Sequence, residues 1–250
     1  MKIKTDVVIV GTGVAGMFSA LKLPKDKKIV IITKEDMRSS DSFLAQGGIC
    51  VLRDENDYDS FFEDTMKAGH YENRKESVDI MIRSSRDIIN DLVGYGVDFK
   101  RDGDDFAYTR EGAHSKPRIL YHEDITGKEI SEKLLMQVLK LENVTILEYT
   151  TMQDILVKNG KCAGLKAVSV EANRERLEAM EAGKKVKIQE EIQPSGEIPV
   201  EIYAEDTILA SGGIGGRYQH STNYPHLTGD ALDIAKKHDI RLEHLDYVQI

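Results

Sequence analysis

The sequence predicts an α/β fold in which a parallel sheet carries an inserted antiparallel β meander. Three observations predict it. Lys4–Val10 and Ile29–Thr33 contain uninterrupted apolar runs of the kind that buried parallel strands show, and an apolar helix lies between them. Farther along, Asp154–Lys158 and Lys161–Val170 flank an Asn-Gly pair, the strongest short signal for a β-hairpin. Asp206–Ala210 then predicts one more strand, which ends in a glycine turn.

The spacing of apolar residues predicts the helices. Met17–Leu23 is an apolar helix that stops at Pro24. Glu76–Val93 has apolar residues at steps of three and four, as amphipathic helices do, and Thr126 opens a second helix of this kind. Gly229–His238 predicts the last helix.

Two segments have less regular patterns. Glu171–Glu201 is charged and poor in apolar residues, so we expect an exposed helix or an extended hairpin on the surface. Ile240–Ile250 alternates like a strand. We expect residues 1–250 to form one dinucleotide-binding domain, with the β meander inserted at about residues 151–203.

The chain of 250 residues has 34 basic and 43 acidic side chains, a formal net charge of −9. This acidic balance argues against nucleic acid or an anionic membrane surface as a partner. No apolar run approaches the roughly 20 residues of a membrane helix, and no signal peptide is visible. Cys50 and Cys162 lie far apart, and the histidines form no metal-ligand spacing, so we expect a reduced, cytoplasmic protein without a metal.

Gly11-x-Gly13-x-x-Gly16 stands between the first strand and the first helix, the context that the dinucleotide fingerprint of a Rossmann-like fold requires. Gly11 permits a tight turn, Gly13 lets the backbone approach a pyrophosphate, and Gly16 lets the helix pack closely on the strand. The first turn of the helix favours phosphate through its amides and its partial positive charge. The same segment adds three residues to the predicted cofactor contacts: Thr12, Val14 and Ala15.

A lysine occupies the position that selects the dinucleotide. The acidic residue that binds the ribose of NAD is expected about 20 residues after the fingerprint. Here Thr33-Lys34 stands in that place. An ammonium group fits poorly with NAD but suits a phosphate or a ribose hydroxyl, which favours FAD. We expect Lys34 to contact the adenosine half of FAD.

A second glycine turn, Ala210-Ser211-Gly212-Gly213, follows the strand predicted at Asp206–Ala210. Gly212 and Gly213 would let another backbone segment approach the same ligand. An ordinary strand exit explains the two glycines equally well.

The loop Ser42-Phe43-Leu44-Ala45-Gln46-Gly47-Gly48 resembles the Ala-Gln-Gly-Gly loop of the succinate dehydrogenase and fumarate reductase flavoprotein family. The resemblance also includes the Gly11 fingerprint, Lys34, Ala210–Gly213 and Gly229-Asp230. It implies that residues 41–48 bind the flavin side of FAD and that Asp230 approaches the flavin end. In the respiratory members a histidine bonds covalently to FAD. Asp41 stands in its place, so we expect non-covalent binding.

Residues 109–129 carry the most specific motif. Thr109-Arg110-Glu111-Gly112-Ala113-His114-Ser115, followed by Asp124-Ile125-Thr126-Gly127-Lys128-Glu129, is similar to the motif of the family's aspartate-oxidising members. These members usually have glycine at the position of Ala113. Aspartate differs from succinate by one ammonium group, which a nearby carboxylate attracts, and the resemblance gives this orienting role to Glu111. A solvated loop glutamate is the ordinary alternative.

His114 and Ser115 are further candidates for substrate contacts. For His114 and His122, a structural histidine bonded to the backbone is at least as common as a ligand contact. Arg110 and Arg118 can supply bidentate carboxylate contacts, and surface ion pairs explain them equally well.

The resemblance implies an oxidoreductase that uses FAD to oxidise L-aspartate to iminoaspartate for quinolinate and NAD biosynthesis, with oxygen or fumarate as the electron acceptor. The family's catalytic histidine in a His-Pro-Thr segment, its capping domain and its C-terminal helical domain have no counterpart up to Ile250. We therefore expect an N-terminal part of such an enzyme, inactive alone. A fumarate reductase-like flavoprotein and a non-catalytic dinucleotide-binding module are the alternatives.

Overall fold

The computed structural model describes residues 1–186 and 192–248. The chain divides into two compact units: unit 1 is Met1–Asp41 with Leu135–Ile250, and unit 2 is Ser42–Leu134. The strands are β1 (Lys2–Val10), β2 (Ile29–Ile32), β3 (Ile49–Cys50), β4 (Arg101–Asp102), β5 (Asp105–Phe106), β6 (Ile119–Leu120), β7 (Val144–Leu147), β8 (Thr151–Lys158), β9 (Lys161–Ser169) and β10 (Ile198–Leu209). The helices are α1 (Val14–Lys22), α2 (Asp41–Leu44), α3 (Tyr58–Ala68), α4 (Lys75–Gly94), α5 (Thr126–Val138), α6 (Arg174–Glu181) and α7 (Asp230–Lys237).

Unit 1 is built on a six-stranded sheet with the order β7-β2-β1-β10-β9-β8. β1 pairs in parallel with both β2 and β10, and β2 pairs in parallel with β7. The apolar run Val7–Val10 is buried, as expected for a central strand that is covered on both faces. The predicted α/β fold with a Rossmann-like parallel sheet is confirmed.

The antiparallel meander continues the same sheet. β8 and β9 are joined at Asn159 and Gly160, whose φ angles of 53° and 73° are those of the predicted hairpin turn. β10 is a single strand of 12 residues. Its first half pairs antiparallel with β9, and it also pairs in parallel with β1, so one strand joins the meander to the parallel part of the sheet.

The expectation of an exposed segment at Glu171–Glu201 is wrong for part of its described residues. α6 is a helix, but its Leu177 is fully buried. Ile198 and Val200 at the start of β10 are also buried. The low average apolar content concealed this, because the buried apolar residues occupy only one face of α6 and alternate positions at the start of β10. Residues 187–191 lie outside the described residues.

The strand predicted at Ile240–Ile250 is not formed over residues 240–248, and residues 249 and 250 lie outside the described residues. Ile240, Leu245 and Tyr247 are all exposed. Alternation alone gives a strand no partner to pair with, and here none of the described strands takes this segment as a neighbour. The preceding helix α7 is confirmed, within a residue of the predicted bounds.

Unit 2 has its own apolar cluster between α3 and α4, which contains Phe61, Met66, Val78 and Ile82. The predicted helix Glu76–Val93 is confirmed as α4. Two short antiparallel ladders, β3 with β6 and β4 with β5, complete the unit. Among the described residues, no helix has the length and apolarity needed to cross a bilayer.

Candidate functional site

The glycine turn after β1 has no room for side chains at two of its three glycines. Gly11 has a φ of +109°, and a Cβ on it would lie 2.3 Å from the carbonyl oxygen of Ala210. A Cβ on Gly16 would lie 2.1 Å from the carbonyl oxygen of Gly11. The turn therefore packs closely against both α1 and the end of β10, which is the geometry that the fingerprint predicts for a pyrophosphate site.

The ends of β1 and β2 are joined by a buried side-chain hydrogen bond. Thr12 Oγ1 donates to Thr33 Oγ1 at 3.2 Å, and both threonines are buried. Both lie at the carboxyl ends of parallel strands, the edge at which ligands bind in open α/β sheets. The hydroxyl of Thr12 is thus engaged inside the protein.

Lys34 and Asp230 form an ion pair in unit 1. Lys34 Nζ donates to Asp230 Oδ2 at 3.0 Å and to Thr228 Oγ1 at 2.8 Å. Burial works to raise the pKa of Asp230, but the hydrogen bonds from Thr228 and Lys34 outweigh it and lower that pKa. The sequence assigned Lys34 and Asp230 to opposite ends of FAD. The structure brings the two side chains together, with 3.0 Å between Lys34 Nζ and Asp230 Oδ2.

The segment before α7 also contacts Asp41, the other charged residue of unit 1 that was predicted to bind the cofactor. Asp41 Oδ1 accepts from the amide of Tyr224 at 3.0 Å. A Cβ on Gly229, which has a φ of +69°, would lie 2.4 Å from Ile214 Cγ2. A Cβ on Gly212, which has a φ of +73°, would lie 2.8 Å from Leu227 Cδ1. A Cβ on Gly213 would meet nothing within 4 Å, so a steric reason for glycine exists at Gly212 and not at Gly213.

A buried polar cluster lies beside β7, and the sequence analysis missed it. Glu148 Oε1 accepts from the amide of Met37 at 2.7 Å, and burial raises the pKa of this carboxyl group. Arg176 Nη2 donates to the carbonyl oxygen of Ile146 at 2.7 Å. Asn173 links the two by donating to Glu148 O at 2.8 Å and accepting from Arg176. The cluster fixes the segment after β2, which carries Lys34.

In unit 2, the loop 42–48 is fixed at both ends. Gly127 in the first turn of α5 donates its amide to Ala45 O at 2.9 Å, and a Cβ on it would lie 2.2 Å from Ser42 O. A Cβ on Gly48 would lie 2.2 Å from the carbonyl oxygen of Leu120 in β6. Between these contacts, residues 44–47 are exposed. The loop is thus anchored near both ends and exposed at residues 44–47.

Glu111 lies beside this loop. Its Oε2 is 3.6 Å from the position that a Cβ on Gly47 would take. The residue is exposed, and within residues 1–186 and 192–248 its carboxylate has no hydrogen-bond or ion-pair partner. The backbone around it is a turn, closed by the amide of His114, which donates to Glu111 O at 3.1 Å.

Arg118 is fully buried and organises the rest of the motif. It donates twice to Asp57, at 2.8 and 3.0 Å, and once to Asp64, at 2.6 Å. Asp64 Oδ2 also accepts from both the amide and the hydroxyl of Ser115, each at 2.7 Å. The guanidinium therefore has its carboxylate partners inside unit 2, and these ion pairs are buried at Arg118 and do not lie on the surface.

Both ring nitrogens of His114 are occupied as well. Nδ1 lies 3.1 Å from Arg118 Nη1, and Nε2 lies 3.2 Å from Cys50 Sγ. Burial raises the pKa of the Cys50 thiol. Among the three substrate candidates of this motif, His114 and Ser115 are thus engaged within the protein, whereas the Glu111 carboxylate has no such partner among the described residues.

The sequence analysis missed Asp57 and Asp64, although a signal for them existed. Asp57, Ser60 and Asp64 follow one another at steps of three and four residues, which places them on one face of a helix. In the structure all three contact Arg118. A mostly apolar cavity of about 520 Å³ lies next to this network, with Cys50 and His114 in its wall.

Comparison with known proteins identifies the family. The model of the family described as "FAD binding domain" matches residues 6–250. L-aspartate oxidase of Clostridium perfringens is 38% identical over 250 residues, which are 100% of this chain and 51% of the relative. L-aspartate oxidase of Clostridium acetobutylicum is 37% identical, with 100% and 52% covered. The chain spans about half the length of the curated relatives it matches.

Solved structures agree on the fold. A variant of the E. coli quinol fumarate reductase superposes with a TM-score of 0.81 at 24% identity, over 95% of this chain and 37% of the other. The Mycobacterium smegmatis Sdh1 complex gives a TM-score of 0.79 at 23% identity, over 94% and 39%. At these identities the likeness describes the fold alone. With the glycine turn at the end of β1 and the match over residues 6–250, the chain belongs to the FAD binding domain family.

Proposed function

We propose that this protein serves the FAD-dependent oxidation of L-aspartate to iminoaspartate, the reaction that supplies quinolinate for NAD biosynthesis. The observation that carries the proposal is the carboxylate of Glu111, which is exposed, unpaired within the described residues and adjacent to Gly47. A carboxylate in this condition attracts the ammonium group of aspartate and repels a plain dicarboxylate. The name that the curated relatives share, L-aspartate oxidase, supports the same substrate.

The residues of the glycine turn fit FAD. Gly11 and Gly16 keep the backbone close-packed where a pyrophosphate is expected, because a side chain at either position would strike a carbonyl oxygen. When bound, FAD supplies the hydride acceptor that oxidises the amino acid to the imine, and it passes the electrons to oxygen or fumarate. We assign the following residues to its binding: Gly11, Thr12, Gly13, Val14, Ala15, Gly16, Lys34, Asp41, Ser42, Phe43, Leu44, Ala45, Gln46, Gly47, Gly48, Gly212, Gly213 and Asp230.

Binding of FAD is proposed to be non-covalent. Asp41 stands where the respiratory members have their flavin-bonded histidine, and its carboxylate accepts from the amide of Tyr224. A carboxylate in this position offers no nucleophile comparable to an imidazole. Denaturation of the holoprotein should therefore release all of its flavin into the soluble fraction.

The proposal extends to the domain and its setting. Residues 1–250 act as one FAD-binding domain, with the β meander inserted at about residues 151–203. The reaction takes place in the cytoplasm, where the free thiols of Cys50 and Cys162 remain reduced. The substrate is a small molecule, and neither nucleic acid nor a membrane takes part.

The test compares two glutamate variants in the complete gene product. With FAD and L-aspartate, the protein is expected to reduce oxygen to hydrogen peroxide or to reduce fumarate. Glu111→Gln removes the negative charge with little change in size and should raise KM for L-aspartate by about tenfold, the ratio given by 1.4 kcal/mol of lost attraction. Glu76→Gln is the matched control, because Glu76 is exposed in the same unit.

Inhibition by succinate separates this proposal from the alternatives. Succinate has no ammonium group, so Glu111→Gln should leave its inhibition constant unchanged or lower it. An equal loss for aspartate and succinate would contradict the orienting role of Glu111. Fumarate reduction without any aspartate oxidation would favour the fumarate reductase-like flavoprotein, and FAD binding without either activity would favour the non-catalytic module.

A further inference from the structure

The ring of His114 is held between a cation and a sulfur atom. Arg118 Nη1 lies 3.1 Å from His114 Nδ1, and Cys50 Sγ lies 3.2 Å from His114 Nε2. A guanidinium has N–H donors and no acceptor, and it does not lose its charge in proteins. His114 Nδ1 therefore accepts the hydrogen bond from Arg118. Because a neutral imidazole has one N–H group, its proton is on Nε2.

We propose that Arg118 is a positioning residue that fixes His114 as its neutral Nε2–H tautomer, with this N–H donated to Cys50 Sγ. In this form, His114 neither takes a proton from a substrate nor offers a positive charge to a substrate carboxylate. The loop that carries Glu111 is then held at His114 and Ser115 by contacts that do not change between about pH 5 and 8, the range in which free histidines titrate. The consequence for Glu111 rests on the proposed function, whereas the tautomer does not.

The charged groups that face the ring explain why it stays neutral. Arg118 disfavours a second positive charge, while Asp57, Asp64 and Glu111 favour one. The carboxylates of Asp57 and Asp64 form ion pairs with Arg118, which largely offsets their attraction for a positive charge on the ring. The pKa of His114 is lowered, and burial is the larger cause while the charge of Arg118 is the second.

The first test measures the tautomer directly and needs no variant of Arg118, whose removal would leave the Asp57 carboxylate buried without its partner. The ¹⁵N-labelled 250-residue protein is studied by long-range proton–nitrogen correlation spectroscopy of its seven histidine rings. His114→Gln identifies the signals of His114 by their loss. We expect an unprotonated Nδ1 and a protonated Nε2 from about pH 5 to 8. A proton on Nδ1, or an imidazolium that titrates in this range, would overturn the proposal.

The second test measures the hydrogen bond to Cys50 through the reactivity of its thiol. The chain has two cysteines, so Cys162→Ser leaves Cys50 as the only thiol. Iodoacetamide is the probe: the Cys50 thiolate forms a bond to its methylene carbon, and iodide leaves. The Nε2–H of His114 stabilises this thiolate, since a hydrogen bond to the charged form of a group favours that form.

Two variants of His114 serve as a matched pair in this background. Glutamine can place an N–H near the position of Nε2, whereas asparagine is one carbon too short to reach Sγ. His114→Asn is therefore expected to lower the alkylation rate at about pH 8 by about tenfold, one unit of thiol pKa. His114→Gln should stay within about threefold of the parent. An asparagine variant that reacts as fast as the glutamine variant would overturn the proposal. Neither readout involves FAD or aspartate, so failure of the proposed function leaves both measurements interpretable.

Discussion

A single methyl group at Gly16 tests whether the turn after β1 is as closely packed as the structure indicates. The Cβ of Gly16→Ala would lie 2.1 Å from the carbonyl oxygen of Gly11 and 3.4 Å from Ile9 Cγ2. Optimal contacts between heavy atoms lie at about 3.5 Å or more, so α1 or the turn must move by about 1.4 Å. The atom in the way belongs to the backbone, and it cannot rotate aside as a side chain would.

Forcing extra volume into a packed site costs about 1–3 kcal/mol, and the backbone contact places Gly16→Ala near the upper end. For a protein of this size, 1 kcal/mol corresponds to about 2–4 °C, so the melting temperature should fall by about 6–12 °C. The free energy of unfolding from urea titration and the midpoint from a thermal scan measure the same change independently. FAD affinity should fall as well, because the displaced turn is the proposed pyrophosphate site.

Gly94→Ala is the matched control for this substitution. Gly94 is the last residue of α4, and a Cβ on it would meet nothing within 4 Å. In an open helical position, alanine is favoured over glycine by about 0.5–1 kcal/mol, so this variant should melt slightly above the parent protein. If Gly16→Ala melted at or above the temperature of Gly94→Ala, the close packing of α1 on the turn would be refuted.

Three further predictions concern unit 2, α7 and the activity of the chain. Asp57→Asn leaves the buried guanidinium of Arg118 without its main partner and should cost about 3–5 kcal/mol in urea unfolding, whereas the exposed control Asp59→Asn should cost less than about 0.5 kcal/mol. Equal costs would show that the pair is unimportant for stability. Hydrogen bonds from Lys237 and His238 lower the pKa of Asp154 from 3.8 to about 2, so their contribution to stability is complete above about pH 4 and is lost as the pH falls through 2. Acid unfolding followed by circular dichroism should show this loss, and Asp154→Asn should remove it; an unchanged acid transition in the variant would contradict the assignment. The 250-residue polypeptide with FAD and L-aspartate should form no hydrogen peroxide above a blank, because it spans about half the length of its aspartate oxidase relatives, and peroxide that depended on aspartate would contradict this expectation.

The sequence predicts most reliably those elements whose signal is local. The buried strand β1, the Asn159-Gly160 turn and the helix α4 each depend on a few adjacent residues, and all three are found. The strand predicted at Ile240–Ile250 is not formed over residues 240–248, because alternation describes a strand but not the neighbour it needs. Leu177 and Ile198 were missed for the opposite reason: they are buried residues in a segment whose average composition is polar.

The candidate sites show the same division between local and distant information. The need for glycine at positions 11 and 16 is visible in the fingerprint, and the structure gives it a steric cause. The pairing of Lys34 with Asp230 joins residues 196 positions apart, and that of Arg118 with Asp57 joins residues 61 apart. Motif reasoning considers each of these charged residues by itself. It therefore treats them as free for a ligand when their charge is already balanced by a distant partner.

The candidate residues therefore differ in whether their side chains already have a partner within the protein. In unit 1, Thr12, Lys34, Asp41 and Asp230 all form side-chain hydrogen bonds within the protein, so under the proposed function we expect FAD to rely there mainly on backbone amides or to replace one of these bonds. An exchanged ion pair returns little net energy when both charges are partly exposed, as those of Lys34 and Asp230 are. The close-packed glycine turn is therefore expected to dominate recognition in unit 1. In unit 2, the carboxylate of Glu111 is unpaired within the described residues, so under the proposed function its charge is expected to decide which dicarboxylate is accepted.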